Sequence, residues 1–256
     1  MSPTAPPATA SAAVQVRNLY RFHELHGRKL PVLIDVSLSV APQEFVAVMG
    51  PSGSGKTTLL QCISGLDQPS SGSVDLGGRP MGDLDERART LVRRQQIGFV
   101  FQFFNLLPTL TVEENIALPL RIAGRSVRSA QPDIDRLLSQ FGLAERRSHL
   151  PGQLSGGEMQ RTSIARALIS GAPLLLCDEP TGNLATKAGE EVMKALSACR
   201  TQEKRTILLV THNPRDAAYA DRVLVLRDGQ LVPDGEMRGP GLTAERIHET
   251  LSRLGV

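Results

Sequence analysis

One nonapeptide, GPSGSGKTT at residues 50–58, constrains the fold of this 256-residue chain more than any other stretch. It satisfies the pattern G-x-x-x-x-G-K-[ST], with the apolar run EFVAVMG from Glu44 leading into it and a segment of helical period following it. Glycine allows the backbone to curl so that successive N–H groups converge on one anion, and the helix that follows brings its positive end to the same place. A strand, a tight loop and a helix must therefore follow one another here, the unit from which parallel α/β sheets are wound. Gly50, Pro51, Ser52, Gly53, Ser54 and Gly55 are expected to wrap a β-phosphate, with Lys56 spaced to reach β and γ oxygens. Thr57 can place its hydroxyl on Mg²⁺ and Thr58 makes a further phosphate contact. The motif implies a bound nucleotide and leaves open which one and for what task.

The remaining pattern agrees with a wound α/β sheet, mostly parallel. Short apolar runs end in turn residues at IGFVFQ from Ile97, PLLLCDE from Pro173, TILLVTH from Thr206 and RVLVLRDG from Arg222, and longer segments of helical period separate them. Upstream, VQVRNLY and LIDVSLSV alternate with period two, and SGSVDLGG follows the first helix, which predicts a small antiparallel layer beside the parallel core. Between Phe103 and Pro151 the pattern turns helical, opening with Thr111 and Glu114 as a capping box. The expected division is a disordered tail over 1–13, one large domain over 14–235 with a helical insertion at about 103–157, and a C-terminal extension over 236–256. In that extension LTAERIHETLSRL predicts a short amphipathic helix packed on the surface.

Several classes of function are disfavoured. The net charge of +3 comes from basic residues scattered among acids, and the chain has no tryptophan, so neither a phosphate-tracking stripe nor a base-stacking platform is expected. The N-terminal MSPTAPPATASAA lacks the charged and apolar regions of a signal peptide, and no apolar run reaches the roughly 18 residues of a membrane span. A cytosolic chain is the expectation, and its three distant cysteines, Cys62, Cys177 and Cys199, read as reduced structural thiols.

Four strand ends should share one edge of the sheet. LLLCDE ends in Asp178, suited to hold Mg²⁺ through its water shell, and Glu179, suited to accept a proton from an attacking water. IGFVFQ ends in Gln102, whose amide can reach the metal or that water, and TILLVTH ends in His212, placed to contact a γ-phosphate. A lone histidine or glutamine at a strand end is usually structural; the convergence of these groups with Lys56 is the signal. The octapeptide LSGGEMQR at residues 154–161 is ambiguous taken alone. Ser155 and Glu158 form a capping box on paper, yet Leu154, Ser155, Gly156, Gly157 and Glu158 also open a helix with free N–H donors, a second anion site without a lysine.

Taken together, GPSGSGKTT, FVFQ, LSGGEMQR, LLLCDEPTGNL and LLVTH resemble the nucleotide-binding subunit of ABC transporters in order and interval, over about Val14 to Gly235. The wording FVFQFFNLLPTLTVEENIALPL and DEPTGNL is similar to the subgroup serving lipoprotein release, macrolide export and related mechanotransmission systems. The resemblance implies a P-loop NTPase (RecA-like) core, ATP and Mg²⁺ as ligands, and Lys56, Gln102, Glu179 and His212 as catalytic residues, with Thr57, Gln102 and Asp178 at the metal. It also implies that two copies pack head to tail, so that residues 154–158 of each cover the other's ATP. The implied partners are a second copy or similar subunit and an integral membrane permease, with the chain on the inner face of the membrane. The segment FFNLLP, Phe103 to Pro108, is expected either to line the groove for the partner's cytoplasmic helix or to pack in the core.

Two departures stand out against the family pattern. Ala185 takes the place of the usual aspartate after DEPTGNL, which puts communication between the two sites in doubt. The aromatic that stacks on adenine is replaced in register by His23, with Tyr20 the nearest competitor and Phe22 expected in the core. Rival classes are a soluble ABC ATPase of the DNA-repair or cluster-assembly type, a small-molecule P-loop kinase, and an ATP-gated regulator of a membrane-anchored cell-wall hydrolase system. No heptad run supports the repair type, and a kinase has no use for LSGGEMQR.

Overall fold

The computed structural model describes residues 12–25, 27–239 and 241–256. The expectation for a tail over 1–13 falls outside these residues except at its last two, where Ala13 donates from its amide to the Val40 carbonyl and accepts from Gly77. Strands β1 (Val14–Leu25) and β2 (Arg28–Val40) pair antiparallel, and Val14 lies opposite Val40. Their alternation turns Val14, Val16, Val36, Leu38 and Val40 inward, the signature of a sheet with one wet face. With β4 (Ser71–Leu76) and β5 (Arg79–Pro80) they form the antiparallel layer that the period-two runs predict, in the order β2-β1-β4-β5.

The parallel sheet is different in kind. Strand β3 (Phe45–Met49) is buried at all five positions, because helices or the antiparallel layer cover both of its faces. It leads into α1 (Lys56–Ser64) through the glycine-rich loop. Helix α2 (Glu86–Gln96) precedes β6 (Ile97–Val100); α3 (Val112–Ile122), α4 (Gln131–Gln140) and α5 (Gly156–Leu168) then lead to β7 (Leu174–Asp178). Next come α6 (Thr186–Glu203), β8 (Thr206–Thr211), the single turn α7 (Pro214–Ala217) and β9 (Arg222–Arg227). Two short strands, β10 (Gln230–Leu231) and β11 (Met237–Arg238), pair antiparallel to β9, and α8 (Ala244–Arg253) closes the chain. The strand order is β10-β9-β3-β8-β7-β6, and every pair from β9 to β6 is parallel. Register fixes the function-bearing edge: Met49 is level with Thr211, and Asp178 with Val210. The loop after β3, the acids after β7 and the histidine after β8 thus leave one edge together.

Three details differ from the sequence expectations. Helix α2 is unforeseen because ERARTLVRRQQ is rich in arginine and glutamine, with Val92 its one buried residue. Strand β6 stops at Val100, so Gln102 sits in the turn beyond it rather than at its end. The C-terminal amphipathic helix forms, but Ile247 and Leu251 enter the main core beside Ala217 and Ala220, so it is more than a surface element. Among the described residues, no helix is long and apolar enough to cross a membrane.

Candidate functional site

The loop between β3 and α1 is built around close backbone approach. A Cβ on Gly50 would lie 2.0 Å from the Leu226 carbonyl oxygen, and Gly55 has φ +100° with its Cβ direction 2.7 Å from the Val32 carbonyl oxygen. Gly55 is also the N-cap of α1, which has no side-chain cap and no acid in its first turn, so the positive end of that helix is left for a ligand. Ser54 is 3% exposed and its Oγ has no hydrogen-bond partner, an orphan that a phosphate oxygen would satisfy. Lys56 is 5% exposed and donates from Nζ to the Gly50 and Pro51 carbonyls at 2.9 Å each. Burial lowers its pKa, and the nearby Glu179 and Asp178 charges oppose that shift. Its ammonium is thus held at the loop by weak neutral acceptors, which an anion would displace.

Lys56, Thr57, Asp178, Glu179 and His212 come together at this edge, and Gln102 stands beside them with no hydrogen bond to the set among the described residues. Thr57 donates from Oγ1 to Asp178 Oδ1 at 3.1 Å, the hydroxyl and carboxylate that a divalent cation needs side by side. Burial raises the Asp178 pKa, and the Thr57 hydrogen bond works against it. Glu179 Oε1 is 3.9 Å from Lys56 Nζ, and Glu179 Oε2 is 3.0 Å from His212 Nδ1. Glu179 adopts φ +44°, a left-handed conformation that costs a non-glycine residue free energy and persists only when the surroundings fix it. Here its amide donates to the Val210 carbonyl and its carbonyl accepts from Gly182, both at 3.0 Å. Gln102 stands against this turn: a Cβ on Gly182 would be 2.8 Å from Gln102 Nε2, and the Gln102 carbonyl accepts from Asn183 Nδ2 at 3.1 Å. Among the described residues, no hydrogen bond joins its amide to Thr57 or Asp178.

At the start of α5 the capping box is formed in full. Ser155 donates from its amide and from Oγ to Glu158 Oε2, each at 2.8 Å, while Glu158 N donates to Ser155 Oγ at 3.3 Å. Arg146 Nε donates to Glu158 Oε1 at 2.9 Å. The Ser155 amide first, then the Ser155 hydroxyl and Arg146, hold the Glu158 carboxyl down to about 2 against the opposing cost of burial. Gly156 and Gly157 have a packing task as well, since their Cβ directions come within 3.0 Å of Leu184 Cδ2 and 3.2 Å of Ala188 Cβ. Leu154 packs half-buried on the main core. Among the described residues, no hydrogen bond or ion pair links residues 154–158 with residues 50–58.

Tyr20 and Phe22 stack with ring centroids 6.3 Å apart and an interplanar angle of 17°, and His23, one residue on, is exposed. Phe22 is half-buried rather than in the core, which corrects the expectation: its partner is Tyr20 across an i,i+2 step of one strand face. Ala185 is the N-cap of α6 and supplies no side-chain cap. No residue of Phe103–Pro108 is buried, with Phe103 71% exposed, so the core reading of FFNLLP fails. Next to it lies a groove of about 410 Å³ lined by Phe99, Phe101, Leu118, Pro119, Ile122 and Arg166 among others.

Two polar residues at the site carry no sequence signal. Asp216 is 4% exposed and its Oδ2 accepts from Thr181 Oγ1 and, at 3.4 Å, from Thr211 Oγ1. Thr181 is itself 9% exposed. In NPRDAAYA the aspartate follows an arginine and reads as part of a solvated charged turn, so only the tertiary structure identifies it.

Comparison with known proteins agrees with the geometry. The family model described as ABC transporter matches residues 33–182. An uncharacterized ABC transporter ATP-binding protein of Mycobacterium tuberculosis (strain ATCC 25618 / H37Rv) is 47% identical over 221 residues, 86% of this chain and 89% of that one. The lipoprotein-releasing system ATP-binding protein LolD of Granulibacter bethesdensis is 44% identical over 87% of this chain and 97% of its own. The macrolide export ATP-binding/permease protein MacB of Marinobacter nauticus is 45% identical over 86% of this chain, a match that spans 34% of the longer MacB. Among solved structures, the dimeric post-hydrolysis state of the ATP-binding cassette MJ0796 bound to ADP and Pi aligns with a TM-score of 0.81 and 38% identity, covering 89% of this chain and 99% of that one.

Proposed function

This chain belongs to the ABC transporter family and is an ATP-hydrolysing motor subunit of that family; from that premise we propose that each of its nucleotide sites is completed by a second copy. In this reading residues 50–58 wrap the β- and γ-phosphates, and Lys56 exchanges the Gly50 and Pro51 carbonyls for phosphate oxygens. Thr57 Oγ1 and Asp178 Oδ1, 3.1 Å apart, would hold Mg²⁺, with Gln102 reaching in from the neighbouring turn. When bound, that cation neutralises charge on the phosphate oxygens. Glu179 takes the proton of the attacking water, and His212, 3.0 Å from it, contacts the γ-phosphate. His23 or Tyr20 stacks on the adenine.

Residues 154–158 act on the other copy's ATP. Ser155, Gly156 and Gly157 turn their donors to a γ-phosphate that the opposite Lys56 already neutralises, which is why this helix start needs no cation of its own. ADP lacks those contacts, so hydrolysis opens the pair, and differential affinity of open and closed states for nucleotide converts chemistry into motion. The groove beside Phe103 receives a cytoplasmic helix of an integral membrane permease, which holds the chain at the inner face of the membrane. Lipoprotein release and macrolide export, named for the relatives, are the two cargo classes to test.

The observation that carries this reading is the bonded convergence of Lys56, Thr57, Asp178, Glu179 and His212 on one sheet edge. Glu179→Gln tests it: kcat falls by about 10³ or more through loss of the base, ATP affinity stays, and size-exclusion chromatography with ATP yields a dimer. A variant that remains monomeric with ATP at every concentration contradicts it.

A further inference from the structure

We propose that Asp216 is a positioning residue that ties the turn carrying Glu179 to the turn carrying His212, an inference that rests on the catalytic roles given to those two side chains above. Asp216 lies on α7, four residues after His212, and is 4% exposed. Among the described residues it forms no ion pair, so it is a buried carboxylate without a cation. For stability alone an apolar side chain of similar size would serve as well or better.

Its hydrogen bonds supply the reason for its presence. One oxygen, Oδ2, accepts from Thr181 Oγ1 and from Thr211 Oγ1. Thr181 is two residues after Glu179, and Thr211 is the residue before His212. An ionised carboxylate can only accept, so Thr211 donates its hydroxyl hydrogen to Asp216 while its oxygen accepts from the Asn213 amide at 3.0 Å. Gly189 of α6 faces Thr181, and a Cβ there would lie 3.5 Å from Thr181 Cβ, so the two backbones approach closely beside the bridge. A single carboxylate oxygen therefore bridges the segments leaving β7 and β8 at the point where each delivers a functional side chain.

That bridge acts on the reacting geometry. The 3.0 Å approach of Glu179 Oε2 to His212 Nδ1 depends on how those two segments sit against each other. Glu179 is also held at φ +44°, a conformation that relaxes unless tied down. A displacement of about 1 Å at a reacting centre costs about 10²-fold in rate. The glycine-rich loop hangs from β3 and makes no hydrogen bond to Asp216 or Thr181 among the described residues, so nucleotide affinity should not follow the loss.

The test uses the full chain with Asp216→Val, Asp216→Asn, Thr181→Val and the pair Asp216→Val/Thr181→Val, reading kcat, KM, nucleotide Kd and Tm. Asp216→Val and Thr181→Val are each expected to lower kcat between about 10- and 10²-fold and to leave the nucleotide Kd within about twofold. The pair should lose no more than Asp216→Val alone, because the contact that Thr181→Val breaks is already gone once Asp216 is valine. Asp216→Asn keeps a carbonyl oxygen as acceptor and should recover most of the rate. A merely structural role would lower Tm in all variants without that rescue and without a split between kcat and Kd. The proposal is overturned if folded Asp216→Val or Thr181→Val keeps kcat within twofold of the parent, or if Asp216→Asn is as slow as Asp216→Val. Should Asp216→Val fail to fold, Thr181→Val and Asp216→Asn decide by the same criteria. Glu179→Gln and His212→Ala run alongside: if they hydrolyse at the parental rate, the catalytic reading and the strap fall together, whereas if they are dead and the strap variants are fast, the strap alone falls.

Discussion

Two helices of this molecule begin on glycine-rich turns, and they treat their positive ends in opposite ways. Helix α1 starts at Gly55 with no side-chain cap, no acid in its first turn, an orphaned Ser54 hydroxyl beside it and a buried lysine turned back onto carbonyls. Helix α5 starts at Ser155 with a complete capping box, and the Glu158 carboxylate already occupies its amide and hydroxyl donors. Both starts leave amide donors that need acceptors. The first is unfinished without an external anion; the second is finished by an internal one, which an external phosphate must displace or share. On the proposed reading, α1 binds phosphate in the single chain and α5 acts only on ATP presented by a second copy.

Substitutions at the two starts should therefore fail differently. The largest effect belongs to Lys56→Ala, expected to abolish measurable ATPase activity, a loss of about 10³-fold or more, and to weaken ATP binding by the single chain. Retained hydrolysis would erase the contrast, since α1 would then need no cation. Ser155→Ala comes next. It should leave nucleotide affinity of the isolated chain unchanged while lowering kcat by about 10²-fold through loss of one transition-state donor, with ATP-driven dimerisation weakened in parallel. A higher Kd for the monomer would mean that residues 154–158 serve their own chain's nucleotide.

Glu158→Gln gives a smaller change in the opposite direction. The amide keeps the box and removes the negative charge facing an incoming γ-phosphate, so half-maximal dimerisation of Glu179→Gln should occur at several-fold lower ATP, about 1 kcal/mol of relief. The same variant has a pH signature. The Glu158 pKa is depressed in the fold to about 2 from an ordinary 4.5, so its contribution is complete above about pH 4.5 and is lost as pH falls toward 2. Glu158→Gln should flatten that acid limb of the stability curve; an unchanged limb would show that the carboxylate is not held at α5. The smallest effect is Ala185→Asp, which caps α6 and should add about 1 kcal/mol, a rise of about 2–4 °C in Tm, together with higher ATPase activity or cooperativity. Ala185→Ser, which caps but carries no charge, separates the two: equal Tm gains with no gain in rate from either variant would confine Ala185 to a capping position.

Legibility in the sequence followed burial. Strands β3, β7 and β8 were readable because parallel strands covered on both faces are continuous apolar runs, as in FVAVM, where every residue is buried. The phosphate loop was readable because its glycines answer to steric need, Gly50 against the Leu226 carbonyl above all. Helix α2 was not, because its single buried side chain, Val92, leaves no apolar period in a charged segment. Gln102 was misplaced by a short step, since β6 pairs on one side only and ends two residues before it. Phe22 was assigned inward by alternation, yet a stacking partner on its own face holds it half-buried. Asp216 was invisible: its role comes from two threonines, Thr181 and Thr211, that lie thirty residues apart in sequence and meet only where β7 and β8 end side by side.

The sharpest measurement is the structure of the Glu179→Gln chain with ATP and Mg²⁺. The account predicts a two-fold pair in which Ser155 Oγ and the amides of Gly156 and Gly157 lie within about 3.2 Å of a γ-phosphate held by the other copy's Lys56. A loaded chain whose Ser155 stays bonded to Glu158 and faces solvent, with no second copy at the nucleotide, would contradict it.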